Sequence, residues 1–439
     1  MSMVDILGEG TVTVDRRTFL AGAGAAGVAG IAGCTGGTGD SSGSGNSGEG
    51  DTGTTTGQPN SGAGTIVLGG SMSLSGDNAD LGKLYRDAYR VTIRRINEAG
   101  GVEAGDGNTY ELEMVLRDDE TDASKSKTIY QELVDRKGID YLLGPYSSTV
   151  TLPASAVAAA NGKPMVEGGG ASPKIFAQGN EWIFGLLPTA DKYPLSGIDL
   201  AAKRGAETAA LLAEDDTFSQ STAEGARSKF ESAGVELVVD ETFPTETSDL
   251  STNLGKVRET EADVLLLAAH QKHAIVMAKQ MESQNVSPDM AMATVGSLNE
   301  AFKEETGSNG NYVYGPSSWA INADFEDQVF GSTSAFVSAI DSGFDYQPDY
   351  HSAAATGVIQ TFQRAFQQVD SLAPTAVRNA IRDIEFTCAY GGVKFADNGV
   401  INKQMLVYQW QPEKGKQIVW PTNVQQSEPI YPMPGWGER

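Results

Sequence analysis

From residue 65 onward the chain alternates short apolar runs with stretches whose apolar residues recur at helical spacing. Residues 65–69 open the series as a strand. Over 81–96, Leu81, Leu84, Ala88, Val91 and Ile96 fall on one helical face. Asn97-Glu98-Ala99-Gly100-Gly101 then stops the helix, because paired glycines accept the left-handed turn that ends one. Strands are predicted at 111–117, 140–143, 164–166 and 182–184, with helices at 123–136 and 152–160. The alternation restarts with strands at 209–212, 236–240, 263–268 and 290–293 and helices at 219–233, 250–259 and 274–281. Strands separated by helices of this length imply right-handed crossovers and parallel sheets covered on both faces. Two such series in tandem imply two α/β lobes. The last third changes character. Helices are predicted at 325–340, 350–369 and 375–384, then strands at 392–395 and 405–410, with Asp397-Asn398-Gly399 as a hairpin turn.

The region before residue 65 lacks this pattern. Arg16-Arg17-Thr18-Phe19-Leu20 leads into a Gly/Ala-rich apolar stretch that ends Ile31-Ala32-Gly33-Cys34. A charged start, an apolar middle and small residues before a cysteine read as an export signal over 1–33, of twin-arginine type, with Cys34 as the expected lipidation site. The apolar run is too short and glycine-rich to remain as a membrane span. Residues 34–64 are Gly, Ser, Thr, Asp and Asn with few apolar side chains. Such a segment cannot bury enough surface to offset its ordering entropy, so it reads as a flexible linker between lipid anchor and folded body.

Charge narrows the partners. With 57 acidic against 32 basic side chains the formal net charge is −25, which argues against nucleic acid, since polyphosphate would be repelled. A broadly acidic, lysine-poor surface suits concentrated salt, where screening acts over about 3 Å. Beyond Cys34 the only cysteine is Cys388, so the body folds without an internal disulfide. Cys388 reads as a small buried hydrophobe. No second apolar segment is long enough to span a membrane.

Enzymatic motifs are missing. No G-x-G-x-x-G follows the first strand, no P-loop appears, and no G-x-S-x-G elbow surrounds Ser147. His270 and His273 stand three apart, but no third metal ligand follows at fixed spacing, which favours a rim role. No cofactor is expected.

Several motifs occur in order at fitting distances: Ser73-Leu74-Ser75-Gly76, Ile96 to Val102, Asp118-Asp119-Glu120-Thr121-Asp122, Gly144-Pro145-Tyr146-Ser147-Ser148, Pro348-Asp349-Tyr350-His351, and Val393-Lys394-Phe395-Ala396-Asp397-Asn398-Gly399. Through them the body resembles the solute-binding proteins of branched-chain amino acid type ABC transporters. The resemblance implies a type I periplasmic binding fold: two Rossmann-like lobes with parallel sheets joined by a three-strand hinge, and a ligand cleft between them. It implies lobe one over 64–187 plus 318–386, lobe two over 188–317 plus 387–425, and a tail over 426–439. The implied function is capture of a branched-chain amino acid or similar small polar metabolite outside the cell membrane. The implied partners are an ABC permease and its ATPase subunits, and the protein is expected to be monomeric.

The resemblance also implies site residues. Ser147, Ser148 and Thr149 precede a helix, where hydroxyls and free N–H groups can hold an anion without a formal cation, and Ser148 matches the family's carboxylate-contacting serine. Gly170, Ala171 and Ser172 belong to a glycine loop whose backbone can approach a ligand closely; Ser172 before Pro173 is also an N-cap candidate. Phe218 and His270 match aromatic positions that close over the ligand, and Tyr350 and His351 are further candidates. Val295 stands where amino-acid binders carry the acid that pairs the ligand ammonium. Either Asp191, Asp215, Asp216 or Glu300 replaces that acid, or the ligand is an amide, a urea-like compound or a carboxylic acid. A signalling receptor in place of a permease, and a hydrolase, are the rival readings.

Overall fold

A computed structural model describes residues 64–439 together with the three-residue strand Thr11–Thr13, which lies antiparallel to residues 115–117. Apart from that strand and Gly64, the signal, Cys34 and linker expectations concern positions outside the described residues.

Each lobe is built on one sheet, and the two have the same topology. In the first, the parallel strands run in the order Thr109–Asp118, Gly64–Met72, Tyr141–Leu143, Met165–Glu167, Ile183–Gly185. In the second the parallel order is Glu236–Phe243, Thr208–Glu214, Val264–Ala268, Met290–Ala293, Tyr314–Ser317. Numbered along the chain within each lobe, both sheets read 2-1-3-4-5. Strand order therefore reverses beside the first strand, and a crevice opens there beyond the carboxyl ends. The apolar runs become strands because helices cover both faces; Val264–Ala268 is buried at every position.

The helices follow the expected periodicity. Ala79–Glu98 buries Leu81, Tyr85, Ala88 and Tyr89. Thr217–Ala233 is capped by Asp216, whose carboxylate accepts the Phe218 and Ser219 N–H groups, and it ends at Gly234 with φ 74°. The chain crosses between the lobes three times, after Gly185, after Ser317 and before Leu406.

Three expectations are corrected. The helix placed over 325–340 begins only at Thr333. Before it, Glu326–Asp327 pairs with Gly331–Ser332 in a small hairpin, because the Asp327 carboxylate accepts the Val329 and Phe330 N–H groups and so takes the donors a helix would need. The strand placed at 392–395 is Gly391–Lys394, and it pairs with Glu385–Cys388 across Ala389-Tyr390 instead of with 405–410. The turn at Asn398-Gly399 does form, with Gly399 at φ 79° and its N–H on Ala396 O at 2.8 Å, but only Phe395 and Ile401 bridge around it. Leu406–Gln411 lies antiparallel to Tyr314–Ser317 and forms its own hairpin with Gly415–Trp420.

Cys388, Tyr390, Val393, Phe395, Ile401 and Met405 pack in the core of lobe one, whereas Val407 packs in lobe two. The expected tail is tied into lobe two: the Met433 N–H donates to Asp289 O at 2.9 Å and Trp436 Nε1 to Val286 O at 2.8 Å. Among the described residues no helix is long and apolar enough to cross a membrane.

Candidate functional site

The two sheets bring their carboxyl ends together, and the residues between them wall a small cavity. From lobe one, the loop after Tyr141–Leu143 supplies Tyr146 and Ser148, and the loop after Met165–Glu167 supplies Gly169 and Ala171. From lobe two, Phe218, His270 and Val295 enter from just beyond Thr208–Glu214, Val264–Ala268 and Met290–Ala293. Leu187 and Tyr193 come from the first crossing, and Tyr350 and His351 open the helix Tyr350–Gln368.

Backbone and side chain fix each lobe-one loop. Ser148 Oγ accepts two hydrogen bonds, from the Ala171 and Ser172 N–H groups, both at 3.0 Å. The serine therefore locks the two binding loops to one another. Ser73 Oγ donates to Tyr146 O at 2.6 Å, and the Tyr85 hydroxyl donates to Gly168 O. Ser147 caps the helix Ser148–Ala160 through its backbone, with Thr151 N–H on Ser147 O at 2.8 Å, and its hydroxyl makes no capping bond.

Contacts cross between the lobes on every side of the cavity. Tyr146 Oη lies 3.0 Å from His270 Nδ1, Thr149 Oγ1 accepts the Thr217 N–H at 3.2 Å, and the hydroxyls of Ser172 and Ser221 are 2.8 Å apart. Aromatic edges complete the closure. Tyr193 meets Phe218 edge-on with ring centroids 5.2 Å apart, and Phe218 lies 5.3 Å from the His270 ring. These lobes are in a closed arrangement, which is why Phe218, Tyr193 and Val295 share a core with lobe one. At the rim, Lys272 Nζ pairs with Asp77 at 2.9 Å, with both side chains substantially exposed. An exposed pair contributes little, so Lys272→Ala is expected to change solute affinity by less than about threefold in calorimetry.

The electrostatics are set by burial. Burial works against the charge of His270, but Asp216 and Glu214 outweigh it and raise its pKa above the usual imidazole value; Asp216 Oδ2 lies 3.4 Å from Nε2. Asp216 is itself held below the ordinary carboxyl range: burial opposes its charge, and the imidazole and Ser219 more than offset it. His351 Nδ1 sits 2.8 Å from Asp349 Oδ2. Burial pushes the Glu167 carboxyl up to about 8, although the Gly170 and Gly169 N–H groups pull it down.

Of the residues singled out in the sequence, Ser148, Ala171, Phe218, His270, Val295 and Tyr350 meet at the cavity, and His351 joins them. Ser147, Thr149, Gly170 and Ser172 stand behind that wall: Thr149 and Ser172 join the lobes, and Gly170 gives its N–H to Glu167 Oε2 at 2.5 Å. Sequence reasoning missed Tyr146, Gly169, Leu187 and Tyr193. Tyr146 immediately precedes the chosen serines and Gly169 the chosen Gly170, so adjacency was the available signal. Leu187 and Tyr193 lie in a crossing with no periodic pattern. The candidate acids lie elsewhere. Asp215 and Glu300 are exposed, Asp216 caps a helix, and Asp191 packs its backbone beside Gly225, two turns along the helix from Phe218. Among the described residues no cluster of three or more acidic, histidine or cysteine side chains could hold a metal.

Comparison with known proteins gives a consistent result. The model of a family described as periplasmic binding protein matches residues 65–416. The Leu/Ile/Val-binding protein homolog 8 of Brucella abortus is 24% identical over 388 residues, covering 82% of this chain and 91% of the relative. An amino acid binding protein of Pseudomonas aeruginosa is 22% identical over 353 residues, covering 80% and 91%. Among solved structures, the branched-chain amino acid transporter substrate-binding protein of Streptococcus pneumoniae in complex with isoleucine aligns with a TM-score of 0.71 at 18% identity, covering 81% of this chain and 100% of that one. A solute-binding protein of an ABC transporter from R. palustris in complex with benzoate aligns with a TM-score of 0.71 at 16% identity, covering 84% and 98%. The fold is the type I periplasmic binding fold, and these relatives and neighbours are binding proteins rather than enzymes.

Proposed function

We propose that this chain, which belongs to the periplasmic binding protein family, captures a small carboxylate-bearing metabolite, an amino acid or a related acid, and hands it unaltered to an ABC permease. The observation that carries this reading is the meeting of two like switch points at one cavity, with the Ser148 hydroxyl and the start of its helix on one wall and aromatic rings on the other. An open cleft admits the solute, the polar loops of lobe one receive its carboxylate, and lobe two closes Phe218 and His270 over its body. Closure is stabilised to the extent that the solute touches both lobes. The relatives' printed names, which include leucine, isoleucine and valine binding, and a neighbour holding benzoate support a solute with one carboxylate and an apolar body.

The working site in this reading is the outer face of the cell membrane. Cys34 carries the lipid, 34–64 is the leash, and a monomeric body meets a permease served by its ATPase subunits. The acidic surface is an adaptation to concentrated salt. Thermal unfolding at high salt against a panel of amino acids and small carboxylates tests the binding function. A true solute at a hundredfold excess over its Kd adds about 2.7 kcal/mol of stability, and a panel without any shift removes the reading. Replacing Cys34 by Ser is expected to release the protein or leave it unprocessed; membrane attachment with normal processing would refute the anchor.

A further inference from the structure

We infer that the solute this cleft selects is a small monoanion that carries no ammonium group. The inference deepens the solute-binding reading and rests on it. Eleven residues line the cavity, and none of them is an acid.

None of the carboxylates nearest the wall is part of it, and most are hydrogen-bonded elsewhere. Glu167 Oε2 accepts the Gly169 and Gly170 N–H groups at 2.9 and 2.5 Å; its Oε1 is buried without a hydrogen-bond partner, but the residue is not part of the cavity wall. Asp216 accepts the Phe218 N–H, the Ser219 N–H and the Ser219 hydroxyl between 2.7 and 2.9 Å, and faces His270 with what remains. Glu214 Oε2 accepts the His270 N–H at 3.1 Å and lies 3.0 Å from His273 Nδ1. Asp349 is spent on the backbone and ring of His351 at 2.9 and 2.8 Å. Asp191 Oδ1 is buried without a hydrogen-bond partner, but its residue is not part of the cavity wall.

An ammonium entering this cavity would exchange its hydration for hydroxyls and ring faces, with no carboxylate to receive it. Desolvating an ion without such a partner is costly. The ring faces do not replace one. Phe218 and Tyr146 turn toward His270 with centroids 5.3 and 5.8 Å away, so a second cation against them would stand beside an imidazole whose proton Asp216 and Glu214 favour. The same groups suit an anion. The start of Ser148–Ala160, the Ser148 hydroxyl and His270 converge on the cavity. Val295, 3% exposed, presents an apolar wall in the loop after Met290–Ala293.

Matched pairs of solutes test this on the full-length protein by calorimetry at high salt: leucine against isocaproate, phenylalanine against phenylpropanoate, with benzoate and choline alongside. The ammonium-free acid of each pair is expected to bind at least about tenfold tighter than its amino acid, a difference of about 1.4 kcal/mol. Val295→Asp is expected to shift that ratio toward the amino acid, with its thermal transition measured to establish that the variant is folded. Equal or tighter binding of the amino acids, or tightest binding of choline, overturns the inference while leaving the solute-binding reading in place. If Asp191→Asn then abolishes amino-acid binding, Asp191 is the ammonium partner. If nothing in the panel binds, both readings fall together.

Discussion

Ser148→Ala is expected to weaken solute binding by at least about tenfold and to destabilise the protein at the same time. From sequence alone this serine reads as a ligand contact whose loss spares the fold. The structure gives it a second task. Its Oγ is the acceptor for the Ala171 and Ser172 N–H groups, and Ser148, Ala171 and Ser172 are at most 2% exposed. Alanine leaves two buried donors without a partner, and each costs about 1–3 kcal/mol. The loop that carries Ala171 to the cavity then loses its tether to the loop that carries Ser148. Affinity thus falls twice over, through the missing hydroxyl and through a binding surface that must be reassembled on closure. Calorimetry with the tightest-binding acid, well below the variant's unfolding transition, separates the two effects. Affinity within twofold of wild type in a folded Ser148→Ala protein would exclude this serine from the site. A transition temperature equal to wild type would exclude the tether.

Why the serine's second role was invisible follows from what a sequence can encode locally. The parallel strands were legible because burial on both faces writes them as unbroken apolar runs, as in Val264–Ala268. Loop positions were legible because an α/β lobe puts its ligands after strand carboxyl ends. That rule agrees with the neighbourhoods of Ser148 and Ala171, whereas Phe218, His270 and Val295 were reached through the family resemblance. What the rule cannot give is which loop atoms touch. Ser148 and Ala171 stand 23 positions apart, and Tyr146 and His270 stand 124 apart in different lobes. The same limit explains the misplaced helix start. Phe325 to Ser332 has helical composition, but Asp327 also reaches Gln360 Nε2 at 2.8 Å and the Ala389 N–H at 2.6 Å. Those distant partners hold the carboxylate where it can break the helix. The Asn-Gly turn was read correctly as a turn and wrongly as a long hairpin, because strand partners are chosen by sheet edges far along the chain.

Glu167, which the reading of the sequence passed over, stands between an apolar strand and three glycines, and its titration should dominate the pH dependence of stability. The side chain is wholly buried, with Oε1 lacking a hydrogen-bond partner. Burial raises the carboxyl from its ordinary 4.5 to about 8. The sign follows from counting protons. Between those two values the folded chain keeps a proton at Glu167 and the unfolded chain releases it. Stability from this group is therefore complete below pH 4.5 and declines as pH rises toward 8, at about 1.4 kcal/mol per pH unit. Across the window the loss is on the order of 3–5 kcal/mol. Glutamine copies the protonated acid: its carbonyl oxygen can accept the Gly169 and Gly170 N–H groups that Oε2 now accepts. Glu167→Gln should accordingly match wild type near pH 5 and exceed it by several kcal/mol at pH 8 in denaturant titrations. The difference between the two proteins isolates Glu167 from the many surface carboxylates, which are common to both. Because Gly169 and Ala171 face the cavity from the same loop, the wild-type affinity should also decline above pH 8 while the variant's holds. Parallel stability curves for the two proteins from pH 5 to 9 would mean that this acid is already ionised in the fold and that its proton plays no part in shaping the loop.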